Sequence, residues 1–251
     1  MKTLTNKYLK IYHDKIGNQI ENLVANFDFA EDVEKFGYLT KASAVYSSNI
    51  EGNTVDVNSF MNYELTKKKA NKEIEEIENL IEAYKFAQEN KLDEKNFLKA
   101  HKIFAKTLVS AANCGKYRME KVGVFSAAGL VYLAIEPEFV NAEMKVFFED
   151  IQELLKEDLT TEQDFYYAAF LHLRFVHIHP FSYGNGRAAR LLEKWFLAKK
   201  LGSKFWMLAS EKYYKENQKE YYKNINLGVN FYELNYDKSI EFLEMLGKSI
   251  K

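Results

Sequence analysis

Apolar residues recur at helical spacing along almost the whole chain, and this regularity limits the possible folds more than any other feature. Ile74, Ile77, Ile81 and Tyr84 form one stripe; Phe97, His101, Phe104 and Leu108 form a second. Val140, Met144, Phe147, Ile151, Leu154 and Leu155 follow, then Phe165, Ala168, Ala169, His172, Phe175 and Val176, and then Leu191, Leu192, Trp195 and Phe196. Residues three, four and seven apart share one face of an α-helix, so each stripe needs another element to cover it. Only two prolines and 11 glycines occur in 251 residues, and neither Pro137 nor Pro180 interrupts a stripe. The pattern predicts an all-α protein, a single globular unit of about eight to ten helices around one core. A last stripe, Ile240, Leu243 and Leu246, reads as core cover or as the face of a homo-oligomer.

One region departs from the helical period. Lys121–Pro137 (KVGVFSAAGLVYLAIEP) is rich in Val, Phe and Tyr around a small-residue centre, Ser126–Gly129, which predicts a β-hairpin. A lone hairpin is barely stable, so it must lie on the helices or receive a partner strand. The sharpest charge run, Lys67–Glu78, reads as a solvated helix junction.

Composition excludes several classes. The 35 basic and 36 acidic residues nearly cancel, so no global field favours nucleic acid or a membrane surface. A single cysteine, Cys114, cannot close an intramolecular disulfide. The N-terminus lacks the apolar core of a signal peptide, and the longest charge-free apolar stretch, Gly123–Ile135, is too short to span a bilayer. The expectation is a cytoplasmic protein with neither nucleic-acid nor membrane partners.

The chemistry concentrates in HIHPFSYGNGRAAR, His177–Arg190. Pro180 turns the chain out of the preceding helix, and Gly184-Asn185-Gly186 precedes a well-patterned helix running to about Lys200. Small residues at a helix entrance let backbone N–H groups converge on an anion, which the helix dipole also favours. Arg187 and Arg190, three apart, share a face beside that entrance. Two permanently charged forks next to a backbone nest suit a polyphosphate. His179, just before the cradle, has the chemistry of a general base near working pH. A metal site built on His172, His177 and His179 is disfavoured, because His172 lies in an apolar stripe and no carboxylate or cysteine cluster completes a ligand set.

The string HPFxxGNGRxxR resembles the signature of the Fic (Fic/Doc) family, usually HPFx(D/E)GNGRxxR. Gly115–Arg118 with Val122–Val124 is similar to the family's lead into its flap, and Ser210 with Glu220-Tyr221-Tyr222 to the segment after the motif helix. The likeness spans roughly 90–227 as a core, with N-terminal helices over 1–56 and a C-terminal helix over 228–251. It implies transfer of AMP from ATP to a Ser, Thr or Tyr hydroxyl on a target protein or on the chain itself. By resemblance His179 is the base, Gly184, Asn185 and Gly186 form the anion hole, and Arg187 and Arg190 hold the outer phosphates. Phe181 anchors the loop, and the flap, with Val122, Val124 and Tyr132, pairs with an extended target segment.

Tyr183 departs from the family pattern. It stands where the family has the acid that holds a divalent metal, and a neutral phenol is a poor Mg²⁺ ligand. Three readings stay open: nucleotide binding with little transfer, a metal held loosely by the substrate's phosphates, or transfer of a different phosphate-containing group.

SSNIEGN, Ser47–Asn53, ends a helical stripe at Gly52, a natural C-cap, with Ser47 and Glu51 on one face. On residues alone Glu51 is a surface carboxylate or one that reaches an arginine elsewhere. The string resembles the family's inhibitory motif (S/T)xxxE(G/N), which implies that Glu51 pairs with Arg190 and blocks seating of the γ-phosphate.

Overall fold

The chain was analysed as a computed structural model that describes residues 3–27, 33–66, 69–126 and 129–250. Among these residues it is a helical bundle with one hairpin. Helix α1 (Leu9–Tyr12) continues through a π-helical turn, His13–Gly17, into α2 (Asn18–Asn26). Then come α3 (Val33–Ile50), α4 (Val57–Thr66), α5 (Lys72–Glu89) and α6 (Glu94–Phe104). Strands β1 (Gly123–Ser126) and β2 (Gly129–Leu133) precede α7 (Pro137–Leu154), α8 (Thr161–Ile178) and α9 (Asn185–Leu201). The short α10 (Ser210–Glu216) and α11 (Gln218–Ile225) and the final α12 (Ile240–Lys248) complete the chain. The helices outnumber the eight to ten predicted, because brief segments such as α10 and α11 carry too few turns to show a stripe of their own.

Helix starts follow local chemistry. Thr160 and Gln163 form a reciprocal capping box at α8, while Asp93 and Asn71 accept first-turn amides of α6 and α5. Pro137 opens α7 at its first position, where its missing N–H costs nothing. Helices α8 and α9 are buried along most of their length and pack on each other at the centre. Helix α12 lays Phe242, Leu243 and Leu246 on α8, so its stripe is core cover within this chain. Helix α3 packs between α5 and α10 and against α9, which carries its C-terminal end to the start of α9.

The hairpin is antiparallel, with Val124 opposite Tyr132, and a register shift after Val124. Its turn residues Ala127 and Ala128, like Lys67 and Lys68 of the charge run, lie outside the described residues. The hairpin rests on the helices through Tyr132, whose hydroxyl donates to the His177 carbonyl at 2.6 Å. Among the described residues no helix is long and apolar enough to cross a membrane.

Candidate active site

The site forms where α8 ends and α9 begins. His179 leaves α8 in the left-handed region (φ 52°, ψ 56°), the only non-glycine residue described there. Pro180 biases His179 away from right-handed helical geometry, and the chain leaves by the left-handed region while the His179 amide still donates to the Phe175 carbonyl at 3.0 Å. Such a backbone persists only when surroundings impose it. Arg118 imposes it: its Nε donates to the His179 carbonyl at 2.7 Å, its Nη2 to the Ile135 carbonyl at 2.6 Å, and its amide to the Pro180 carbonyl at 2.9 Å.

His179 Nδ1 lies 3.1 Å from the Val176 carbonyl, which can only accept, so Nδ1 carries the proton and Nε2 keeps its lone pair. Burial pushes the imidazole pKa down to about 4, and the Arg118 charge adds to the shift. At neutral pH the ring is an unprotonated base facing a cavity of about 530 Å³.

Phe181 is fully buried and stacks on His101 with 3.6 Å between ring centroids. The Asn185 side chain is spent on the same loop, exchanging hydrogen bonds with the Phe181 amide (2.9 Å) and carbonyl (2.8 Å). What Asn185 and Gly186 offer an anion is therefore backbone: the α9 ladder begins with the Ala188 amide on the Gly184 carbonyl, leaving the amides before it without intrahelical partners. Gly184 adopts φ 85°, and a Cβ there would meet Phe104 at 2.9 Å. A Cβ on Gly186 would collide with Glu51 Oε1, so glycine leaves room for that carboxylate beside Arg190.

Glu51 and Arg190, 139 residues apart, meet at 2.7 Å. Arg190 is fully buried; its Nε donates to Ser47 Oγ at 2.9 Å, its Nη2 also to the Ser47 carbonyl, and its Nη1 to Tyr221 Oη at 3.0 Å. Burial alone would raise the Glu51 pKa, but the charges of Arg190, then Arg187, hold it below the usual carboxylate range. Gly52 has φ 98°, the left-handed turn that stops α3 and presents Glu51. The last α3 carbonyls are capped from afar, Asn49 by Lys215 Nζ (2.9 Å) and Ile50 by Gln218 Nε2 (2.8 Å) and Tyr222 Oη (2.7 Å). Arg187 is also buried, and its Nη2 donates to Glu76 Oε1 on α5.

Of the flap residues, Val124 is exposed and lines the cavity, while Tyr132 points inward to His177. Val122 lies just before β1, where its carbonyl accepts the Ala134 amide at 3.1 Å. Among the described residues the Gly123–Phe125 edge has no strand beyond β2, whereas the end of β2 is covered by Val229 and Asn230.

A family model, Fic/DOC family, matches residues 91–197. Residues 91–197 thus resemble a Fic/DOC domain. A Fic family protein from Desulfovibrio desulfuricans G20 superposes with TM-score 0.75 at 22% identity, over 98% of this chain and 74% of that one. A Fic-domain-containing signaling protein from Bacteroides thetaiotaomicron VPI-5482 gives 0.71 at 21%, over 95% and 94%. Fic-1 (residues 134–508) from C. elegans gives 0.71 at 19%, over 96% and 70%. At these identities the structures establish the shared fold. No match was found among the curated proteins. The matched segment supplies His179, the cradle and both arginines, while Ser47, Glu51, Glu76 and Tyr221 reach it from segments on either side.

The residues of this site do not fit a divalent metal at the position of the family's acid. Tyr183 is half exposed there, and the Arg187 guanidinium lies 6.0 Å from its ring centroid, a cation–π arrangement. Glu51 and Glu76 already pair with arginines, and among the described residues no group of three His, Cys, Asp or Glu side chains could hold an ion. His177 uses both ring nitrogens, on the Ile225 carbonyl (2.8 Å) and Tyr236 Oη (3.0 Å), and His172 likewise on Glu193 (2.8 Å) and Tyr221 (2.9 Å).

Sequence reasoning missed four supports. Glu76 sits inside the run read as solvated, although Ile74 and Ile77 beside it are buried and place that turn against the core. Arg118 is readable in sequence only as the end of the stretch leading into the flap, and His101 only as a stripe member. His101 accepts the Gly115 amide on Nδ1 (2.9 Å), which leaves Nε2 to donate to the Tyr183 carbonyl at 3.1 Å. Tyr221 is readable in sequence only as part of the segment after the motif helix; the fold alone places its hydroxyl on Arg190.

Proposed function

We propose that the protein transfers the AMP part of ATP to a Ser, Thr or Tyr hydroxyl of a protein target or of itself, and that Glu51 restrains the reaction. The observation that carries this is His179, protonated on Nδ1 and lining a cavity together with Glu51, Gly186 and Tyr221. His179 Nε2 takes the hydroxyl proton as the oxygen attacks the α-phosphorus; the bond from that phosphorus to the bridging oxygen breaks and pyrophosphate leaves. The amides at the start of α9 meet the phosphate oxygens, and Arg187 and Arg190 offset the charge on the leaving group. A target segment lies along the β1 edge, with Val124 and Phe125 as its apolar footing. While Glu51 holds Arg190, the terminal phosphate lacks its partner.

Tyr183 favours a second reading, in which the site binds nucleotide without transfer or moves another phosphate-containing group. Incubation with α-labelled ATP, with and without Mg²⁺ or Mn²⁺, separates the two. Glu51→Gly labels itself or lysate proteins, and His179→Ala in that background abolishes the label while sparing ATP binding. Label that appears only when Tyr183→Asp is added assigns the wild-type chain to nucleotide binding.

A further inference from the structure

Arg187 and Arg190 face carboxylates of different kinds. Glu51 follows the last residue of α3, in the turn where Gly52 ends that helix. Glu76 lies in the second turn of α5, between Ile74, Ile77 and Leu80, which are all buried, so its backbone is fixed by a helix packed on the core. It engages only Nη2 of Arg187. Nε and Nη1 of that side chain are buried without a hydrogen-bond partner among the described residues. Guanidinium donors left over beside helix N-terminal amides suit a phosphate.

The second oxygen of Glu76 is also held. Asn53 Nδ2 donates to Glu76 Oε2 at 3.2 Å and to the Glu73 carbonyl at 3.0 Å. Asn53 belongs to the turn that carries Glu51: its amide donates to the Ser48 carbonyl at 3.1 Å, and its carbonyl accepts from Asn49 Nδ2 at 2.9 Å. A chain of contacts thus runs from the Glu51 turn through Asn53 and Glu76 to Arg187.

We propose that Glu76 is a positioning residue: by fixing Nη2 it turns Nε and Nη1 of Arg187 toward the phosphates, and Asn53 ties that orientation to the turn bearing Glu51. The inference rests on the phosphate-site reading above. Without Glu76 the guanidinium is free to lie along the face of Tyr183, whose ring it already approaches.

The test uses the full chain in the Glu51→Gly background, with ATP and adenosine titrated in metal-free buffer. Glu76→Ala weakens ATP binding by about tenfold, the scale of one charge-assisted contact, and leaves adenosine affinity unchanged. Glu76→Gln, which keeps an acceptor for Nη2, restores part of the loss. Asn53→Ala leaves Glu76 in place and weakens ATP binding by a smaller factor, so the idea stays testable if Glu76→Ala folds poorly. In the Arg187→Ala background Glu76→Ala has no further effect. Tighter ATP binding by Glu76→Ala would make Glu76 a second blocking carboxylate and overturn the proposal. An equal loss with and without Arg187 would overturn it as a general structural effect. Both results leave the phosphate site standing. Failure of Glu51→Gly to bind either ATP or pyrophosphate would remove that site and the proposal together.

Discussion

Replacing Glu51 by glycine removes the carboxylate that lies 2.7 Å from Arg190 Nη2. A triphosphate that reaches Arg190 in the wild type must first displace this contact, so the variant gains the energy of the contact as affinity. A hydrogen bond between charged groups is worth about 1.5–3 kcal/mol, and a Glu51 side chain that is 24% exposed takes the lower part of that range. At ~2 kcal/mol, with about 1.4 kcal/mol per factor of ten, ATP binds the variant about 25-fold more tightly. The cost in stability is small, because every nitrogen of Arg190 keeps an acceptor: Ser47 Oγ, the Ser47 carbonyl and Tyr221 Oη. The loss is about 1–2 kcal/mol, below the 3–5 kcal/mol of a fully stranded buried charge, and lowers Tm by about 2–8 °C. Isothermal titration with ATP measures the first number and calorimetric melting the second. Glu51→Gln, of equal size but neutral, reproduces most of the affinity gain. Equal affinity for ATP in wild type, Glu51→Gly and Glu51→Gln would show that the pair does not compete with phosphate and would refute the restraint.

The pH dependence of the reaction and of stability, and the packing of Gly186, give further checks. With His179 held down to about 4, transfer by Glu51→Gly is flat between about pH 6 and 8 and falls only as the pH drops through the histidine's own value, read from initial rates of labelling. His101 and His177 are likewise held down, to about 4 and about 3, so in the folded state these three stay neutral while the unfolded chain takes up protons below about 6.5. Stability therefore falls on acidification from about 6.5 toward 4, by up to about 1.4 kcal/mol per pH unit per histidine. Asp164, raised to about 7 by burial, binds its proton more tightly when folded and opposes one of these contributions; Tm measured from pH 7.5 to 5 reads the net fall. Gly186→Ala drives a methyl into Glu51 and destabilises by about 1–3 kcal/mol; adding Glu51→Gly recovers part of it, the rest remaining because Arg190 Nη1 lies 3.1 Å from the new carbon. A Tm unchanged by Gly186→Ala would contradict the close approach of α3 to α9.

Residues adjacent in the chain made part of this site readable. His179, the glycine-flanked entrance to α9 and the two arginines fall within twelve residues, His179–Arg190, so helix geometry alone gathers them. Ser47 and Glu51 were readable for the same reason, as one turn of one helix. Their convergence on Arg190 was anticipated only through the family resemblance, since no spacing rule links positions 139 apart. Glu76 shows how a local rule misleads: a run of Lys and Glu signals a solvated face, yet α5 turns that edge toward α9 and buries a carboxylate on Arg187. His101 shows the reverse, since its place in an apolar stripe marked it as buried but said nothing of the amide and carbonyl it bridges.

Periodicity, caps and the two prolines are short-range properties, and they suffice for helices, hairpin and cradle because backbone hydrogen bonding and side-chain spacing act over a few residues. Which carboxylate meets which arginine is a long-range property. It depends on α3, α5 and α9 packing side by side, with Gly186 small enough to admit Glu51. The tautomer of His179 is set locally, by the Val176 carbonyl three residues back, but the left-handed backbone beneath it depends on the Arg118 guanidinium, itself held by the Ile135 carbonyl, which only the packed bundle brings within reach. Burial then shifts the pKa of His179 and multiplies the worth of each charge, because a desolvated pair cannot trade its partner for water.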